Sequence, residues 1–194
     1  LIDLQIARGN PSVIHMMNTK YILRKGSTGD LSATINPSRL GAAWLVRELK
    51  VVEDADEEMT LLSSFNPANE VLVDQRFGLT QGSFSKSGSI SLTSYQPNHL
   101  IYDVSTSEPS FAVFSEIFYD KGWNAYINGE LHDHYRVNYV LRGMNLPKGT
   151  YQVEFNFEPK SVAYGASFAL VSSLLIFILM IVAAFKTGFS LRQP

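Results

Sequence analysis

The sequence predicts a mostly β protein: an antiparallel β-sandwich, jelly-roll-like, with one or two short helices, followed by a C-terminal transmembrane helix. Three observations lead there. From residue 70 to 158, apolar and β-branched stretches recur at strand length between turn signals. No helical stretch interleaves those strands, so an antiparallel arrangement is expected and a parallel sheet is not. From Ala163 to Phe185 the chain reads AYGASFALVSSLLIFILMIVAAF, 23 residues without a charge.

The apolar run is the plainest element. At 1.5 Å per residue it measures roughly 34 Å as a helix, enough to cross a hydrocarbon core of about 30 Å. It is apolar all round, which rules out an amphipathic surface helix. Tyr164 stands at one end and Lys186 at the other, as interfacial anchors would. Gly165, Ala169, Ser172 and Ser173 recur at helical spacing on one face, where small side chains let a second helix approach closely. Such residues are also common in any membrane helix, so both readings stand.

Orientation is not set by charge. Lys148 and Lys160 precede the helix, and Lys186 and Arg192 follow it. The short basic tail at 186–194 favours a cytoplasmic end for it. The chain opens on Leu1 with no signal peptide, so a fragment of a larger protein is expected.

Composition narrows the function classes. The chain has 194 residues, 45% hydrophobic and 18% charged, as an ordered protein does. It has no cysteine, which removes disulfides, thiolate metal sites and cysteine nucleophiles. Up to residue 158 there are 13 basic against 18 acidic side chains, a balance of −5. No basic stripe marks a nucleic-acid surface.

Along the soluble part, 12–18 predicts a short helix running into a strand at 20–24, and 27–32 a polar loop. The stretch 42–52 is expected to be one strand. Asp54 with Glu57 three residues on has the form of a capping box, and a helix over 54–65 would bury Met59, Leu61, Leu62 and Phe65. Strands are expected at 70–77, 88–95, 99–107, 110–119, 122–128, 134–145 and 149–158. Asn128-Gly129 signals a two-residue hairpin, and Pro147-Lys148-Gly149 another tight turn. The expected organisation is an N-terminal α+β segment (1–69) packing on the sandwich strands (70–158) as one domain, then the membrane helix (163–185) and the tail (186–194).

Chemistry-bearing clusters are few. His132 and His134 would point to the same side of a strand, so they form a weak metal-binding pair that lacks a third ligand. No metal or cofactor is assigned. Asp54, Asp56, Glu57 and Glu58 suit the positive end of a helix and read as a solvated face. Asp103, Glu108, Glu116, Asp120 and Glu130 lie on or near strands, and nothing pairs two of them as a catalytic dyad. Trp123, Tyr126 and Tyr139, with Tyr95 and Tyr102, either fill the core or present rings to a sugar. Burial is expected for Trp123 and Tyr126. No glycine-rich phosphate loop, GxSxG elbow or zinc-protease motif occurs.

Three stretches together carry a resemblance: Met17-Asn-Thr-Lys-Tyr-Ile-Leu23; Asn36-Pro37 through Leu40-Gly-Ala-Ala-Trp-Leu-Val46; and Phe114-Ser-Glu116 with Tyr119-Asp-Lys-Gly-Trp-Asn-Ala-Tyr-Ile-Asn-Gly129, Arg136-Val-Asn-Tyr-Val-Leu-Arg142 and Pro147-Lys-Gly149. They resemble the C-terminal region of the bacterial YfhO membrane-protein family. The resemblance implies a polytopic protein of the bacterial cytoplasmic membrane, similar to glycosyltransferases that use lipid-linked sugars. It further implies that this region is an extracytoplasmic domain with its adjoining helix, and that the catalytic residues lie upstream. Implied partners are the lipid bilayer, upstream membrane helices of the same protein and a glycan or lipid-linked sugar; nucleic acid is not among them. The alternative is a structural or partner-binding sandwich without carbohydrate contact.

Overall fold

The computed structural model describes residues 2–27 and 29–190. In chain order the elements are α1 (Ile2–Ala7), α2 (Pro11–Met16), β1 (Tyr21–Lys25), β2 (Leu31–Ile35), β3 (Ala43–Val46), β4 (Glu48–Val52), α3 (Ala55–Leu61), β5 (Glu70–Asp74), β6 (Gly82–Ser83) and β7 (Gly88–Gln96). Then follow β8 (His99–Thr106), β9 (Ser110–Ile117), β10 (Trp123–Ile127), β11 (Glu130–His132), β12 (Tyr135–Val137), β13 (Leu141–Leu146), β14 (Gly149–Phe157) and α4 (Lys160–Ser190).

Two antiparallel sheets form the sandwich, one ordered β11-β10-β14-β8-β7 and the other β12-β13-β9-β3. Between them lie Leu100, Tyr102 and Val104 of β8, Val153 and Phe155 of β14, Ala112 and Phe114 of β9, and Met144 and Leu146 of β13. The four-stranded sheet is covered on its other face as well. Trp44, Val46, Phe111, Val113, Val137 and Leu141 pack there against Val13, Met16, Leu49, Leu62, Val71 and Val73. This double burial explains an odd feature of the sequence. Strands of the five-stranded sheet alternate, as in Tyr151-Gln-Val-Glu-Phe155, because one face meets water. Phe111-Ala-Val-Phe114 does not alternate, because both its faces are buried. Gly143 belongs to the same crowding: a Cβ there would fall 2.6 Å from Val137 Cγ1 and 2.7 Å from Phe111 Cε1.

The segment expected as one strand at 42–52 is two strands in two sheets. Arg47 is a bend between them; β3 pairs with β9 and β4 pairs with β5. Period alone cannot show a change of sheet, since both halves are equally apolar. The pairing of β4 with β5 is parallel, with α3 lying between them in the chain. The two sandwich sheets are antiparallel as expected; this parallel pair lies in a separate small sheet, with α3 as its crossover. The stretch 134–145 likewise breaks into β12 and β13. Asn138 and Tyr139 turn the chain with φ of 47° and 72°. Asn138 exchanges two bonds with β5, its N–H to the Leu72 carbonyl and its Oδ1 from the Leu72 N–H, both 2.9 Å. That contact repays an unfavourable backbone conformation.

The predicted cap of α3 is present. Asp54 Oδ1 accepts from the N–H groups of Asp56 and Glu57, each at 2.9 Å. Asp54→Ala should therefore lower the domain's stability by about 1 kcal/mol, read as a shift in a denaturant midpoint. Leu62 and Phe65 are buried as expected, while Met59 and Leu61 are half-buried. Asn128-Gly129 forms the β10–β11 hairpin, with φ of 49° and 85° and Ile127 paired to Glu130.

α4 begins at Lys160, before the apolar run, and continues through Ser190 into the stretch read as tail. Lys160–Ala183 is a helix of 24 residues, long and apolar enough to cross a membrane. Arg192 lies outside the described residues.

Candidate functional site at the membrane-proximal end

Strand direction decides which end of the sandwich meets the span. β14 runs from Gly149 to Phe157, and α4 starts three residues later. Trp123 pairs with Phe157 and His99 with Asn156, so these residues share that end. β9 begins at the far end, beside Leu146, and finishes at Ile117 near the span.

A pocket of about 650 Å³ opens at this junction, lined by Tyr119, Asp120, Lys121, Asn124, Phe157, Glu158 and Lys160, among others. Its aromatic wall is Phe157, 5.3 Å from the Trp123 ring and 6.4 Å from the Tyr119 ring. Gly122 permits this wall. With φ of +156° and the Phe157 ring 2.6 Å from where a Cβ would stand, only glycine fits without displacing the ring. The polar wall centres on Glu158. Its Oε2 accepts from Asn124 Nδ2 and from the Tyr126 hydroxyl, both at 2.7 Å. Those two bonds hold the Glu158 carboxyl below the usual carboxylate range, and the same bond pushes the Tyr126 hydroxyl up.

Behind the pocket, between the sheets, sits an arginine that the sequence analysis did not single out. Arg142 is 2% exposed. Its guanidinium lies 4.2 Å from the Trp123 ring centre and 5.1 Å from that of Phe155. Nε donates to the Ile117 carbonyl at 3.0 Å, whereas Nη1 has no partner among the described residues. Burial brings its pKa down to about 10, with Glu116 opposing that shift. Burial also raises Glu116, against the pull of Arg142. The Tyr102 hydroxyl and His134 Nε2 are likewise buried without a partner. The His134 ring rests between Phe118 and Phe155, and burial brings its pKa down to about 4, so it is neutral at physiological pH.

The three aromatics singled out in the sequence do not share a surface. Trp123 faces the sandwich interior, stacked on Arg142, and is half-buried. Tyr126 stands on the outer face of the five-stranded sheet, tied to Glu158 and half-buried. Tyr139 is in the β12–β13 turn, on the opposite side of the four-stranded sheet, 5.3 Å from Arg136. Full burial of Trp123 and Tyr126 is therefore not found: Trp123 starts β10 at the strand end, and Tyr126 points to the outer face.

His132 pairs with Ala125 on β11, while His134 has turned inward to the aromatic cluster. Among the described residues, no group of three or more histidine or carboxylate side chains is placed to hold a metal ion. Glu58 departs from its expected place on a solvated face. It is fully buried, accepting from Arg136 Nη2 at 2.8 Å and from the Tyr139 N–H at 2.7 Å. A helix of two turns presents one of three consecutive acidic positions, Asp56 to Glu58, to the core, and only the contact with β12 says which.

On α4, Gly165, Ala169, Ser172 and Ser173 form an exposed face; nothing lies within 4 Å of a Cβ at Gly165. The hydroxyls of Ser172 and Ser173 turn back to the Phe168 and Ala169 carbonyls at 2.8 Å.

Residues 83–169 match the family model of bacterial membrane protein YfhO. The matched region runs from β6 through the sandwich strands into the first turns of α4, so it contains the junction pocket and Arg142. Over this region the YfhO resemblance read from the sequence is borne out; the stretches at 17–23 and 36–46 lie upstream of it. No curated protein and no solved structure matches the chain. The YfhO match and the apolar α4 together fit a membrane protein with a β-rich domain.

Proposed function

We propose that this chain is the extracytoplasmic accessory domain, with its adjoining helix, of a bacterial cytoplasmic-membrane protein resembling glycosyltransferases that use lipid-linked sugars. Its role is non-catalytic: it holds the polar part of a lipid-linked sugar, or of the acceptor glycan, during modification of the cell envelope. Residues 1–158 act as one domain in this reading, since the N-terminal segment supplies β3 to the sandwich. The small-residue face of α4 at Gly165, Ala169, Ser172 and Ser173 packs on upstream membrane helices of the same protein.

The observation that carries the proposal is the junction pocket. It sits where a span meets a folded domain, the depth at which the headgroup of a lipid-linked sugar lies. Its chemistry suits such a headgroup. Tyr119 and Phe157 offer rings to a sugar face, Asp120 and Glu158 accept from hydroxyls, and Lys121 and Lys160 match a phosphate charge.

The test is a titration of the reconstituted chain with a short-prenyl phosphoglucose, followed by backbone amide shifts. Shifts are expected at 119–124 and 157–162, and Lys121→Glu with Lys160→Glu should weaken the affinity by roughly tenfold, ~1.4 kcal/mol. Unmoved amides would favour the second reading, a structural or partner-binding sandwich. What speaks for that reading is the use of the Trp123 ring in packing against Arg142 and Phe157.

A further inference from the structure

The hairpin of β1 and β2 pairs with no other strand among the described residues. A lone two-stranded ribbon is marginal in water and needs a surface to lie on. Its register sorts the side chains by face. Tyr21 pairs with Ile35, Leu23 with Ala33 and Lys25 with Leu31, which puts Tyr21, Leu23, Leu31 and Ile35 on one side. Ile22 pairs with Thr34 and Arg24 with Ser32 on the other. The apolar side is uncovered: Tyr21 is 51% exposed, Leu23 67%, Leu31 73% and Ile35 62%. Four such residues in one row differ from the scattered apolar residues of an ordinary surface.

Charge singles out the same segment. Residues 18–40 carry Lys20, Arg24, Lys25 and Arg39 against Asp30, a balance of +3, while residues 1–158 as a whole stand at −5. The root of the hairpin lies at the end of the sandwich from which α4 leaves. The Ser115 hydroxyl, near the end of β9, bonds both the Met16 carbonyl at 3.0 Å and the Gly41 carbonyl at 2.6 Å. Asn36 closes the ribbon's base, donating from Nδ2 to the Thr19 carbonyl at 3.0 Å and from its N–H to the Lys20 carbonyl at 2.9 Å.

We propose that the β1–β2 hairpin is a second membrane contact, its Tyr21–Leu23–Leu31–Ile35 face seated in the headgroup–acyl boundary of the bilayer that α4 spans. Lys20, Arg24, Lys25 and Arg39 make the hairpin positive, with Lys25 on that face and Arg24 on the other, which suits an anionic lipid surface. Lys25, at the ribbon tip, lays its stem along the apolar row and reaches back to the headgroups. Two anchors at one end of the sandwich set the tilt of the domain on the membrane, which a single helix cannot do.

The chain has no cysteine, so Leu23→Cys and Leu31→Cys each accept a unique nitroxide. The whole chain is reconstituted in vesicles of phosphatidylglycerol and phosphatidylcholine, and collisions with oxygen and with a water-soluble nickel chelate are compared by power saturation. The oxygen-to-nickel ratio at 23 and 31 is expected to be several-fold above that at Ser91→Cys, approaching Leu175→Cys in the span. In phosphatidylcholine alone, or with Lys20→Glu and Arg24→Glu together, it should fall toward the Ser91 value while position 175 is unchanged. Labels at 23 and 31 that match Ser91 throughout would overturn the proposal. Labels immobilised and shielded from both reagents would also overturn it, by showing that a protein surface, a second copy or another membrane segment, covers the hairpin.

Discussion

Phe155→Ala is expected to cost the β-domain about 3–5 kcal/mol. The ring is fully buried and touches neighbours on all sides. It meets Phe114 at 4.9 Å and Tyr102 at 6.1 Å, both edge to face, and also contacts His134 and Arg142. Removing it opens a cavity beside three side chains, Tyr102, His134 and Arg142, whose Oη, Nε2 and Nη1 are buried without partners among the described residues. Water will enter a space so lined. Rehydration should raise His134 from about 4 toward the ordinary value of 6.5, since burial is the leading cause of its depression. Guanidinium unfolding in micelles, followed by tryptophan fluorescence, reads the first effect, and imidazole proton shifts against pH read the second. A loss of stability with His134 still near 4 would show that the cavity closes dry.

Glu58→Ala is the second large effect, expected to cost about 3 kcal/mol or more at neutral pH. It removes the partner of Arg136 and leaves the Tyr139 N–H unpaired inside the fold. Asp74 remains 3.6 Å from Arg136 and takes up part of its charge, which keeps the cost toward the lower end for a broken buried pair. The deficit should depend on pH in a particular direction. Burial raises Glu58 from 4.5 to about 6, outweighing the Tyr139 N–H and the Arg136 guanidinium, which favour the charged form. Between those values the folded state holds a proton that the unfolded state has lost. Stability from this group is therefore full below 4.5 and falls as pH rises to about 6, by about 2 kcal/mol. The difference between the natural chain and Glu58→Ala should shrink by that amount across the window. His134 acts with the opposite sign, since its folded pKa is depressed, and comparing the two proteins cancels its contribution. A constant difference from pH 4 to 7 would mean that folding leaves the Glu58 carboxyl at its ordinary pKa.

Glu58 also shows where sequence reasoning stopped. The capping pattern at Asp54 and Glu57 was legible because capping is local: side chain and backbone are three residues apart. The burial of Glu58 was not, because Arg136 and Tyr139 stand 78 and 81 residues away. The hairpin at Asn128-Gly129 was legible for the same local reason. The turn at Asn138-Tyr139 was not, because its positive φ values depend on the bond between Asn138 and Leu72 of β5. The junction pocket was half legible. Tyr119, Gly122 and Trp123 lie in the stretch that carries the YfhO resemblance, but Phe157 and Glu158 join them only through the pairing of β10 with β14.

The sequence by itself determined the membrane helix, the β class of the domain, the hairpin at Asn128-Gly129 and the cap at Asp54. Each depends on composition or on contacts within a few residues, where periodicity and side-chain chemistry leave few alternatives. Tertiary structure decided which strands share a sheet, why Phe111–Phe114 is apolar on both faces, and which charged groups are buried. It also decided that Trp123, Tyr126 and Tyr139 part to three surfaces, and that the hairpin face of Tyr21 and Leu23 is left open. Those outcomes depend on partners distant in the chain, and a one-residue slip of a strand would move its side chains to the other face.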